Sequence, residues 1–392
     1  MGGCNVQNFV YQSTKSALVE PGASGRLGEL AGGLGCRSVL LVTDAGVQKA
    51  GLLEAGLRSL EAAGIAVTLF TEVAADPPVH TVMAAVAAAV AAQADGVVAI
   101  GGGSSMDVAK LAALLSTGRE RLEDIYGVGN AKGPRLPLIL VPTTAGTGSE
   151  VTPISIVTTG EGEKKGVVAP VLLPDWAVLD ADLTVGLPAA VTAATGIDAM
   201  VHAIEAFTSK RLKNPLSDCL ALEALRLLNG NIHEACRNGG NREARQAMLL
   251  GAMMAGMAFA NAPVAGVHAL AYPVGARFHV PHGLSNSLVL PAVIRFNAGA
   301  AEFHYARIAE ALGLAAADGE ESGDTGKTAA LVAYLAALPA ELGLPTRLRD
   351  VGIAAADLAG LAGDAMLQTR LLINNPRDIT LADARAIYEA VL

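Results

Sequence analysis

Short β-branched runs alternate with alanine-rich stretches through the first half of the chain. Ser38–Thr43, Gly96–Ile100 and Leu138–Val141 read as strands, while the stretch from about His80 to Ala94 and the segment after Asp107 read as helices. Alternation of this kind predicts parallel strands joined by crossover helices. From about Pro188 onward strand-like runs largely vanish and helical patterns dominate, with Pro188 suited to the first turn of a helix. The pattern therefore predicts an α/β N-terminal domain over residues 1–186 and an all-α C-terminal domain over residues 187–392.

One apolar stretch needs a separate reading. From Gln246 to Ala276 the chain carries no Asp, Glu, Lys or Arg, but Asn261 and Pro263 cut it. What is left is too short for a bilayer, which needs roughly 20 residues. It reads as a buried core helix followed by the segment that presents His268. Gly319–Gly326 (GEESGDTG) reads as a polar loop between late helices. The chain shows no internal repeat, and its alanine-rich tracts carry only helix propensity.

Composition narrows the class. A chain of 392 residues is long for one core and ordinary for two. With 52% hydrophobic and 17% charged residues, burial must be extensive, and a homo-oligomer is expected rather than disorder. The net charge of -9 excludes the nucleic-acid binders, which need clustered Lys and Arg. Cys4, Cys36, Cys219 and Cys236 lack CxxC spacing, which argues against a disulfide framework or a cysteine zinc site and for a reducing cytoplasm. The N-terminus lacks the basic-then-apolar pattern of a signal peptide, and Val6 stands where a myristoylation motif wants Ser or Thr. No membrane partner is expected.

Four of the seven histidines, His202, His268, His279 and His282, fall in the region that also holds Asp198. Asp198 and His202 lie four apart in a helical pattern, so a carboxylate oxygen and an imidazole nitrogen can be aimed at one point. The same spacing also suits a simple hydrogen-bonded pair. His268 and His282 sit where Pro273, Gly275, Pro281 and Gly283 forbid one continuous helix, and a loop could swing the second imidazole back toward the first. One carboxylate and three neutral imidazoles suit Fe(II) or Zn(II).

A second candidate lies in the first half. After the strand ending at Ile100, Gly101, Gly102 and Gly103 remove side chains so that backbone N–H groups can approach a pyrophosphate, and the following helix directs its positive end there. Asp44, directly after VLLVT, is placed to accept hydrogen bonds from an adenosine ribose and to repel a 2′-phosphate, or to cap a helix. The loop VPTTAGTGSEVT offers Thr143, Thr144, Thr147 and Thr152 between glycines, suited to ribose or phosphate or to a plain turn. The N-terminal domain is therefore read as dinucleotide-binding.

The runs GGGSSMDVAK, VPTTAGTGSEVTP, DADLTVGLP, ATGIDAMVHAIEAF, VPHGLSN and NNPRDIT, in this order, resemble the iron-containing (group III) alcohol dehydrogenases. The resemblance covers nearly the whole chain, and several motifs in the right order are more specific than any one of them. It implies the dehydroquinate synthase-like fold of that family, with Asp198, His202, His268 and His282 as the metal ligands. It places Gly102, Gly103, Ser104, Asp107, Thr143, Thr144, Thr147, Thr152, Ile154, Lys165 and Leu183 at dinucleotide-contact positions. Lys165 is otherwise an ordinary surface lysine, and Asp76, on the adenine side, stands where many members carry Asn.

The activity implied is hydride transfer between NAD(H) and a small primary alcohol, diol or the matching aldehyde, with Fe(II) or Zn(II) as the Lewis acid. Fe(II) accepts more than four ligands and leaves room for a substrate oxygen; Zn(II) would be tighter. Where many members place a further histidine, this chain has Tyr272, so a proton relay runs through that position or through His279, which also reads as a surface or packing histidine. Rival readings are a zinc polyol dehydrogenase of the glycerol dehydrogenase type, a maleylacetate reductase, a dehydroquinate synthase-like lyase and a non-catalytic metal-binding protein. The lyase would need a basic cluster for its substrate, and the region around the ligands offers chiefly Arg277.

Overall fold

A computed structural model describes residues 8–160, 163–315 and 323–392. Cys4, the myristoylation reading and the first four residues of the Gly319–Gly326 loop lie outside the described residues. The chain divides into two compact units, one of Gln12–Gly186 with Gly240–Leu250, the other of Leu187–Gly239 with Gly251–Leu392 and the described residues before Gln12. One cut falls between Gly186 and Leu187, and further cuts leave both units discontinuous in sequence.

Among the described residues the first unit has nine strands: β1 (Ser16–Val19), β2 (Ser38–Val42), β3 (Ala66–Phe70), β4 (Gly96–Gly101), β5 (Gly127–Val128), β6 (Leu138–Pro142), β7 (Ile154–Thr159), β8 (Glu163–Val168) and β9 (Trp176–Leu179). Six form a parallel sheet in the order β1-β9-β6-β4-β2-β3. Its central strands are buried on both faces, which is why they read as unbroken apolar runs. Alternate residues serve opposite cores: Leu40, Val42, Val97, Ala99, Leu138 and Leu140 pack with Val82, Ala85 and Met106. Val39, Leu41, Val98, Ile100, Ile139 and Val141 pack on the other side with Leu27, Leu30 and Leu60. The remaining strands form a small sheet in which β7 and β8 are an antiparallel hairpin, an element the sequence pattern does not predict.

From β2 the chain moves out to β3 and returns across β2 to β4, so its direction reverses between β2 and β4. Open α/β sheets take ligands at the carboxyl ends of the strands flanking such a reversal. Asp44 follows β2, Gly101–Gly103 end β4 and open the next helix, and Thr143 and Thr144 follow β6. That helix spans Gly103–Leu115 with Gly102 at its N-cap, so it begins before Asp107 rather than after it.

The second unit has no strand among its described residues. Its helix Ala189–Thr208 starts one residue past Pro188, which sits at the N-cap. The apolar stretch forms the Arg242–Asn261 helix, ended at Asn261, and among the described residues no single helix is long and apolar enough to cross a membrane. As expected, no single helix carries both His268 and His282, but Pro273 and Gly275 lie inside the next helix, Gly266–Phe278, and do not make the break. The break comes where His279 takes the left-handed conformation and Pro281 stands at the N-cap of His282–Ala311. Pro273 is buried, so packing of the surrounding turns outweighs its missing N–H. Asp324–Gly326, expected in the polar loop, form the first turn of Asp324–Glu341.

Candidate functional site

Asp198, His202 and Glu205 fall on one face of the Ala189–Thr208 helix by their spacing of four and then three residues. His268 enters from the first turn of Gly266–Phe278, and His282 from the first residue of His282–Ala311. One potential ligand atom from each of Asp198, His202, His268 and His282 lies within 4.8 Å of all the others. Asp198 Oδ1 is 3.6 Å from His282 Nε2 and 3.9 Å from His268 Nε2. His202 is stacked between Phe259, with ring centroids 4.3 Å apart, and His268, at 4.7 Å. Asp198, His202 and His268 are buried, whereas the His282 side chain is 38% exposed, so the cluster opens on that side.

The donor set fits a divalent cation. Asn286 Nδ2 donates to Asp198 Oδ1 at 2.5 Å and lies 3.3 Å from both His268 Nε2 and His282 Nε2. Three electron-pair donors thus converge on one point, while the buried Asn286 Oδ1 on the same amide has no partner. Burial would raise the pKa of Asp198, but His202, His282 and His268, with the Asn286 amide, hold it below the usual carboxylate range. The carboxylate is therefore ionised and available as a ligand.

Glu205, which the sequence reading did not single out, sits behind His268. It accepts hydrogen bonds from His268 Nδ1 at 2.7 Å, Ala265 N at 2.8 Å and Val267 N at 2.6 Å. Its helical register with Asp198 and His202 was a signal present in the sequence.

In the first unit, Asp44 Oδ1 caps the following helix through Gly46 N and Val47 N. Its Oδ2 lies 3.7 Å from where a β-carbon on Gly101 would stand, so the carboxylate borders the glycine turn. A β-carbon on Gly103 would meet the Thr147 side chain at 2.9 Å, which explains why this close approach takes glycine. Thr143 N donates to Gly101 O, tying the threonine loop to the turn.

Beneath them lies a second group that sequence reading missed. Lys110 is fully buried, and its Nζ donates to Ile154 O at 2.6 Å, Ser149 Oγ at 2.7 Å and Thr152 Oγ1 at 3.4 Å. Burial lowers its pKa, against the pull of Asp107 and Glu150. Asp107 accepts from Ser149 Oγ and Ile156 N, so Asp107, Thr152 and Ile154 take part in this internal network. A lysine within the apolar run MDVAKLAALL was the available signal.

The other sequence-derived positions scatter more widely. Ser104 lies in the first turn after Gly103 and is part-buried, and Leu183 is buried in a short 3-10 turn. Lys165 is part-exposed on β8, with Nζ 5.8 Å from the Tyr126 ring centroid. Asp76 is exposed, adopts φ 51° and accepts from Lys164 Nζ at 2.6 Å. Tyr272 is part-buried against two of the clustered histidines, its ring centroid 5.7 Å from His282 and 6.3 Å from His268. His279 is exposed at the helix end.

Residues 14–181 match the family described as iron-containing alcohol dehydrogenase, and residues 192–392 match the C-terminal part of the same family. Long-chain-alcohol dehydrogenase 1 of Geobacillus thermodenitrificans is 41% identical over 91% of this chain and 90% of its own length. A 1,3-propanediol dehydrogenase of Klebsiella pneumoniae is 36% identical over 97% and 98%. A crystal structure of a 1,3-propanediol oxidoreductase superposes with a TM-score of 0.94 at 35% identity, covering 98% of this chain and 100% of that one. Sulfoacetaldehyde reductase from Bifidobacterium kashiwanohense, solved in complex with NAD+, superposes with a TM-score of 0.88 at 29% identity over 98% and 99%.

Proposed function

Because this chain belongs to the iron-containing alcohol dehydrogenase family, we propose that it transfers hydride between a small primary alcohol or diol, or the matching aldehyde, and NAD(H), with Fe(II) as its metal. The observation that carries this reading is the convergence of Asp198, His202, His268 and His282 within 4.8 Å. A divalent metal held there supplies a Lewis acid for the substrate oxygen, and NAD supplies the hydride acceptor. Four protein donors support Fe(II), which takes more than four ligands, over the zinc polyol dehydrogenase reading with fewer.

The remaining roles fall to the chain's own side chains. Gly102 and Gly103, at a helix N-terminus, present backbone N–H groups to a pyrophosphate, with Ser104, Thr143, Thr144 and Thr147 around them. The Asp44 carboxylate accepts from ribose hydroxyls and disfavours a 2′-phosphate. Asp76, Lys165 and Leu183 are assigned to the same cofactor by family resemblance, and Asp107, Thr152 and Ile154 act from the Lys110 network. Tyr272, its ring near His268 and His282, is assigned to relay the alcohol's proton, its phenol oxygen accepting that proton as its own O–H proton passes on, and His279, exposed three residues before His282, to release a proton to water.

The protein is further read as a cytoplasmic homo-oligomer. Free thiols at Cys36 and Cys219 support a reducing compartment, and exposed Leu212, Phe303 and Leu367 support subunit contacts. The test is NADH formation from a panel of short alcohols and diols by protein purified without oxygen, supplied with Fe(II) or Zn(II) separately. Activity should follow Fe(II); no NADH with any alcohol under either metal overturns the reading.

A further inference from the structure

We propose that Glu205 is a positioning residue for the metal centre: it fixes which nitrogen of His268 faces the cluster and supplies the second negative charge that a buried divalent ion calls for. The inference rests on reading Asp198, His202, His268 and His282 as that centre.

Glu205 and His268 are both buried, and Glu205 Oε2 is 2.7 Å from His268 Nδ1. A carboxylate accepts, so Nδ1 carries the proton and the lone pair is left on Nε2, the nitrogen that faces Asp198 and Asn286. Had the proton been on Nε2, His268 could not serve as a ligand. The same carboxylate accepts from Ala265 N and Val267 N, at the N-terminal end of the helix that carries His268. Helix end and imidazole are thus referred to one rigid anion, and that anion stands on the same helix face as Asp198 and His202. One helix therefore supplies two direct ligands and the orientation of a third. Asp198 and Glu205 together carry two negative charges, matching a divalent cation in a site where unbalanced charge is costly.

A plain helix-capping role is the competitor, and the two separate experimentally. Asn374 Nδ2 donates to Val264 O at 2.9 Å, so it braces the same turn without touching His268. Full-length apoprotein is titrated with Zn(II) against a chromogenic chelator, in parallel with its thermal unfolding. Glu205→Gln, close in shape but uncharged, should weaken Zn(II) binding by about 10–100-fold, the usual cost of losing such a support. Asn374→Ala should lower the apoprotein Tm while leaving Zn(II) affinity within about threefold. If Glu205→Gln does not fold, Glu205→Asp, which keeps the charge but withdraws it from Nδ1, is read by the same titration and should also bind more weakly.

The visible spectrum of the Co(II)-loaded protein should shift in the Glu205 variant and not in Asn374→Ala. Unchanged Zn(II) affinity in the Glu205 variant overturns the proposal, and so does equal weakening in both variants. Failure of the unaltered protein to bind Zn(II) would overturn the metal-centre reading itself, a distinct result.

Discussion

Gly283 and Ala194 touch so closely that a β-carbon on Gly283 would stand 2.4 Å from the Ala194 carbonyl oxygen and 3.3 Å from Asp198 Cβ. The neighbour is helix backbone, which cannot swing aside as a side chain would. This contact sets His282, one residue earlier, beside Asp198. Gly283→Ala should force the two helices apart, costing about 1–3 kcal/mol of stability as overpacking does. It should also weaken metal binding at least tenfold. Urea unfolding and chelator competition check both, and an unaltered affinity would show that the close approach does not place His282.

Asp198 is the one anionic member of the cluster proposed to hold the metal. Asp198→Asn keeps the shape and removes the charge, so metal content after purification should fall toward background. Alcohol oxidation should drop by more than about 100-fold, since loss of a supporting group alone costs 10–100-fold in affinity or activity. Metal analysis alongside NADH formation tests this, and a fully loaded, active variant contradicts it.

Glu150 is 2% exposed, and burial pushes its pKa up from 4.5 to about 7, against the pull of its own backbone N–H and of Lys110. A folded-state value above the unfolded one means that its contribution to stability is fully present below about pH 4.5 and is lost as pH rises through about 7. Glu150→Gln should therefore match the parent near pH 4.5 and exceed it at pH 8 by about 3 kcal/mol, because a tenfold change in proton affinity is worth about 1.36 kcal/mol. Denaturant midpoints across this range decide it; parallel curves for the two proteins would refute the assignment.

Asp44 serves as helix cap and borders the glycine turn. Asp44→Gly should raise the NADP-to-NAD ratio of kcat/KM by removing the charge that repels a 2′-phosphate. Because glycine is a tolerable cap, stability should fall by only a few tenths of a kcal/mol. An unaltered cofactor ratio would remove the basis for assigning NAD.

The two proposed proton carriers, Tyr272 and His279, differ in place: one ring lies against two of the clustered histidines, and the other is exposed at a helix end. Tyr272→Phe should lower turnover by about 100-fold or more, the range of positioned acid–base groups, with metal content unchanged. His279→Ala should reduce turnover chiefly at low pH, also with full metal. Rate profiles against pH distinguish the two, and full activity in both variants would leave proton release to solvent alone.

Local periodicity made much of this molecule legible. Strands β2, β4 and β6 are apolar on both faces and announce themselves as continuous runs, and the four-residue spacing of Asp198 and His202 declares a shared helix face. The left-handed turn at His279 and the N-cap at Pro281 supply the break that lets His282 return, while Pro273, a helix breaker by preference, stays inside the preceding helix. Buried packing overrode that local preference.

Residue order alone singled out the side chains proposed to grip a metal or a dinucleotide and the kinds of element they stand on, because helix and strand spacing are set within a few residues. It took the packed fold to bring Glu205 against His268, 63 positions away, and Lys110 against Ser149 and Ile154, 39 and 44 positions away. Those pairings depend on how separate elements pack, and no spacing along the chain encodes which buried carboxylate or ammonium will meet which partner.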